Sequence, residues 1–74
     1  MKIFDTVARE IRKEALASGR GRLVEGSLRI EHHGVMNGLE IYGARFAISR
    51  CDGNRTWYDT FFNENGARIG NLFA

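Results

Sequence analysis

Helical periodicity occurs only once in this chain, and the place where it stops most constrains the fold. Between residues 2 and 18, Ile3, Phe4, Val7, Ala8, Ile11 and Ala15 recur at intervals of three and four and form one apolar stripe. Asp5, Arg9, Arg12 and Lys13 occupy the opposite side. Asp5 in the first turn and Lys13 toward the end suit the helix dipole, and Gly19 is a natural stop. After "SGRGR" the pattern turns extended, with turn signals at Asn37-Gly38, Asp52-Gly53-Asn54 and Asn65-Gly66. These predict four strands at about 22–33, 39–50, 55–62 and 67–73. The expected fold is a single small α+β domain over 1–74, with one N-terminal amphipathic helix packed on one face of an antiparallel β-meander of three to four strands. A chain of 74 residues is well below the size at which cores split into separate domains.

The stretch "RIEHHGVMNGLEIYGARF" raises the question of a metal or catalytic centre. A two-residue type I′ turn at Asn37-Gly38 pairs Met36 with Leu39 and His33 with Tyr42. Continued unchanged, that register sets Ile30 against Arg45. One extra residue at Gly43 repairs the mismatch: Ile30 then faces Phe46, Leu28 faces Ile48, and Glu31 faces Arg45 as a cross-strand ion pair. A bulge at or next to Gly43 is therefore expected. Adjacent His32 and His33 point to opposite faces of a regular strand and cannot share one metal. Cys51 lies about eight residues further along, roughly 26 Å away at strand rise, with no histidine near enough to activate it. No catalytic residue, metal site or cofactor is expected, and "SGRGRLVEG" lacks the spacing of a phosphate-binding loop.

The segment "RTWYDTFF", residues 55 to 62, is aromatic on both faces, with Trp57 and Phe61 on one side and Tyr58 and Phe62 on the other. A half-buried strand should alternate apolar with polar. A three-residue loop at Asp52-Gly53-Asn54 places Tyr58 opposite Ile48 and Thr60 opposite Phe46, on the helix-covered side. Trp57, Asp59 and Phe61 then share the other face with Arg45, Ala47, Ser49, Glu31 and His33. One helix cannot cover both sides of a sheet. The second face is left to a homodimer partner, to the C-terminal "GARIGNLFA", or to an outside partner, because apolar patches rimmed by arginine and aromatic residues mark interaction sites.

Net charge is +2, with a pI near 9.1. The bias sits in mid-chain arginines and is mild. The opening nineteen residues carry charges throughout, which predicts neither a signal peptide nor a membrane span and a cytoplasmic location. The expected function is that of a non-enzymatic interaction protein docking on a larger protein or nucleoprotein partner through Trp57, Phe61, Arg45, Arg50, Arg55 and His33. The alternative is a nucleic-acid-binding module in which the same aromatic and arginine face stacks bases and neutralises phosphates. An enzyme is not expected, because so short a chain has little room for a substrate pocket. In scale and layout the chain is similar to the compact accessory proteins of phages and mobile elements, including inhibitors of host defence such as anti-CRISPR proteins. No motif carries that similarity.

Overall fold

In the computed structural model, which describes residues 2–70, the apolar stripe becomes helix α1 (Lys2–Ala17). It ends in a Schellman motif: Arg20 N donates to Ala15 O, Gly19 N donates to Leu16 O, and Gly19 takes φ +70°. Five strands follow: β1 (Arg22–Leu23), β2 (Arg29–Met36), β3 (Leu39–Ser49), β4 (Arg55–Asn63) and β5 (Arg68–Ile69). All pairings are antiparallel, in the order β1-β3-β4-β5, with β2 pairing β3 beyond the end of β1. The sheet curls into a half-barrel with the helix packed on it, as the α+β reading expects.

The expected first strand, 22–33, is broken in two. Val24 N still donates to Ala47 O, but Glu25, Gly26 and Ser27 then leave the ladder in a turn closed by Ser27 N donating to Val24 O. The Ser27 hydroxyl compensates, because its Oγ accepts from Ala47 N at 3.1 Å. The last expected strand, 67–73, is two residues long as described, and 71–73 lie outside the described residues.

The Asn37-Gly38 turn pairs Met36 with Leu39, both turn residues having positive φ. The bulge, however, lies in β2 between His32 and Gly34 and not at Gly43 in β3. Its direction is therefore opposite to the expected one: Ile30 faces Ala44 rather than Phe46, His32 rather than His33 faces Tyr42, and Glu31 faces Gly43 rather than Arg45. Arg45 faces Arg29. Gly34, at φ +137°, supplies the backbone conformation the bulge needs. Gly43 has a different task, since a Cβ there would come within 2.5 Å of His33 Nε2.

Between β3 and β4 the three-residue loop is Cys51-Asp52-Gly53, one residue earlier than expected, closed by Arg50 N donating to Asn54 O. Tyr58 thus faces Phe46, and Thr60 faces Ala44. The pairing differs from the expected one by two residues. An even shift leaves every side chain on its expected face. Glu64-Asn65-Gly66 repeats the construction between β4 and β5.

The core lies between helix and sheet: Val7, Ile11 and Ala15 of α1 meet Leu23, Leu28, Phe46, Ile48 and Phe62, with Ile30, Tyr42 and Tyr58 at its border. Tyr58 stacks on Phe46 at 5.8 Å. Thr6 packs against Gly66, and Glu14 approaches Arg68 at 3.9 Å, so the helix also spans to the last turn and strand.

Candidate functional site

Alternation along β4 divides its four aromatic residues. Phe62 is fully buried and Tyr58 half-buried under the helix, whereas Trp57 and Phe61 are 53% and 42% exposed on the other side. The second face therefore has no covering layer among the described residues. The sequence alternative, in which the C-terminal segment covers this face, is not what the described residues do at Trp57: β5 pairs with Phe61 and Phe62 and goes no further along β4.

Three hollows run along this open face and share walls. At the loop end, one of about 550 Å³ is bordered by Arg29, Arg45, Arg55 and Trp57, together with the 24–27 turn. The Arg45 guanidinium lies 5.6 Å from the indole centroid, a cation–π contact. Trp57 is the ladder partner of Ala47, which is fully buried. A central hollow of about 440 Å³ again has Arg29 and Arg45 in its wall, now with Glu31, His33, Asp59 and Phe61. At the hairpin end, an apolar hollow of about 270 Å³ lies among His33, Met36, Ile41, Phe61 and Ile69.

The two histidines serve different faces. His33, displaced by the bulge, sets its ring edge-on against Phe61 at 5.1 Å. His32 lies on the helix side, edge-on to Tyr42 at 5.5 Å and ion-paired with Glu40 when protonated. Glu40 N in turn donates to the Glu64 carboxylate. The expected place opposite Tyr42 thus belongs to His32, because the bulge shifts the register by one. No group of three metal-ligating side chains converges among the described residues.

Of the six residues singled out from the sequence, Trp57, Phe61, Arg45, Arg55 and His33 are brought together along this face. Arg50 is exposed at the adjoining loop, where its backbone closes the turn. Cys51 is an exposed free thiol in the same loop. There the Asp52 carboxylate accepts from Asn54 N, and that bond holds it below the usual carboxylate range. Arg29 was missed. Strand alternation puts it on the face of Glu31 in either register, and the misplaced bulge hid only its pairing with Arg45.

No protein-family model, curated protein or solved structure matches the chain. No described helix is long and apolar enough to cross a membrane.

Proposed function

We propose that this is a non-enzymatic binding protein that lays its open sheet face on a larger protein or nucleoprotein partner. The carrying observation is the division of β4: the same strand buries Phe62 completely and leaves Trp57 and Phe61 exposed on a surface edged by arginines. Exposed aromatic residues beside arginine are the groups that dominate binding hot spots. The three hollows are shallow stretches of one surface, suited to contact over an area. On this reading a compact inhibitor of the phage accessory kind would act by occupying its target's surface.

The test is the double variant Trp57→Ala/Phe61→Ala, compared with wild type in circular dichroism, light scattering and affinity capture. The expected result is an intact fold that no longer retains the partner. Capture equal to wild type from a folded double variant would sink the reading. A wild-type mass of two chains that falls to one in the double variant would mean that the face is occupied by a second copy instead.

A further inference from the structure

The loop-end hollow differs from the other two in its charge balance. Arg29 and Arg45 are direct Cα partners in the β2–β3 ladder, an arrangement that like charges disfavour. Arg55 borders the same hollow. None of the three is ion-paired among the described residues. Arg29 instead donates to the carbonyl oxygens of Gly26 and Leu28, and Arg45 lies over Trp57. The hollow does contain one carboxylate, Glu25, but it is already engaged by Arg12 at 2.7 and 3.3 Å. Two acids, Asp59 and Glu31, share the central hollow with Arg29 and Arg45, and Asp59 is Arg45's ladder partner on β4, although no ion pair joins them among the described residues. Three arginines against one carboxylate, itself engaged by Arg12, leave the hollow around the half-exposed indole net positive.

The basic track continues past the hollow. Gly21 lies so close to Ser49 that a Cβ would meet its carbonyl oxygen at 2.2 Å. This draws Arg22 into the ladder opposite Ser49, beside exposed Arg50. Arg22, Arg50 and Arg55 therefore lie together at one end of the sheet.

The geometry points to a single-stranded nucleic acid as the occupant of this hollow, with one base stacked on Trp57 and neighbouring phosphates at Arg29 and Arg55, continuing toward Arg22 and Arg50. This rests on the sheet-face reading above and adds the partner's chemistry. An aromatic platform inside a basic groove is the arrangement that holds single strands without reading their sequence. A duplex keeps its base faces inside its own stack, so it cannot use the indole. An acidic peptide would use the arginines and leave the indole unmatched.

The probe is a fluorescein-labelled ten-nucleotide oligothymidylate, followed by anisotropy at 50 and 200 mM salt, with quenching of the single tryptophan as a second readout. Binding that quenches Trp57 and weakens roughly 50-fold across that salt range, as four neutralised phosphates require, is the expected result. Trp57→Ala should lose roughly five- to hundred-fold in affinity, the range of one stacked base, while Trp57→Phe keeps most of it. Arg55→Glu should weaken binding and flatten the salt dependence, whereas Arg9→Glu on the helix, the same charge change elsewhere, should do so far less. No binding at 50 mM salt overturns the inference. So does equal competition by polyglutamate, or binding that ignores Trp57→Ala, either of which would mean a general anion surface. Loss of the inference alone is recognised when the oligonucleotide fails but capture of a protein partner still depends on Trp57 and Phe61. If both fail, the docking reading falls with it.

Discussion

Thr60 sits on the helix side of β4 opposite Ala44, 3% exposed, and its hydroxyl is the one buried side-chain oxygen without a hydrogen-bond partner among the described residues. Desolvating a hydroxyl without compensation costs about 1–3 kcal/mol. Thr60→Val keeps the branched shape that a strand favours and removes the cost. It should stabilise the fold by about 1 kcal/mol and raise Tm by roughly 4–8 °C in a chain of this size. A lower Tm would mean that the hydroxyl has a partner in solution. Glu25 offers a second residue-scale test. Its bond to Arg12 ties the 24–27 turn to the helix and depresses its pKa. A carboxylate with a depressed folded pKa contributes stability above the unfolded value and loses it as pH falls through the folded one. The Tm gap between wild type and Glu25→Gln should therefore be present at neutral pH and close in strong acid. The pair is exposed, so the gap should be small and should shrink with salt. A gap that persists in acid would assign the effect to packing.

At the scale of elements, the bulge separates what the chain declares locally from what only the assembled sheet decides. Helix α1, its glycine stop and the three turns were legible because each rests on a local signal: periodicity, or a glycine next to Asn or Asp. The faces of β4 were legible too, since the loop error was even. The β2–β3 register was not, because "HHG" and "YGA" both place a glycine in a strand, and either could carry the extra residue. The choice fell to Gly34, beside which His33 can pack its ring on Phe61 over bare Gly43. The same error hid the Arg29–Arg45 pairing and invented a Glu31–Arg45 pair. The break at Glu25-Gly26-Ser27 was missed because its compensation, Ser27 Oγ on Ala47 N, spans twenty residues. Paired substitutions test the assignment. Gly34→Ala puts a side chain at φ +137° and should cost about 1–3 kcal/mol. Gly43→Ala meets only the far end of an exposed imidazole, so it should leave stability within about 1 kcal/mol and move the His33 ring away from Phe61. Ring proton shifts in NMR read that displacement directly. The opposite order of stabilities would return the bulge to β3.

Among the described residues the main core lies on the helix side of the sheet, and that asymmetry is the basis of the functional reading. Ile11 is fully buried between helix and sheet, whereas the larger Trp57 is 53% exposed on the side without a helix. If burial against α1 holds the fold, the smaller residue should matter more. Ile11→Ala should cost about 2–5 kcal/mol, a large share of the roughly 4–11 kcal/mol that a 74-residue domain commands. Trp57→Ala removes a cation–π contact at an exposed site, on the order of 1 kcal/mol. Urea unfolding followed by circular dichroism measures both on one scale. Near-equal losses would mean that Trp57 is core in solution, covered by a second copy or by the C-terminal residues, and unavailable to any partner. A wide gap leaves the molecule with two functions on two faces of one sheet. The helix side supplies the stability, and the arginine and aromatic side is free to bind.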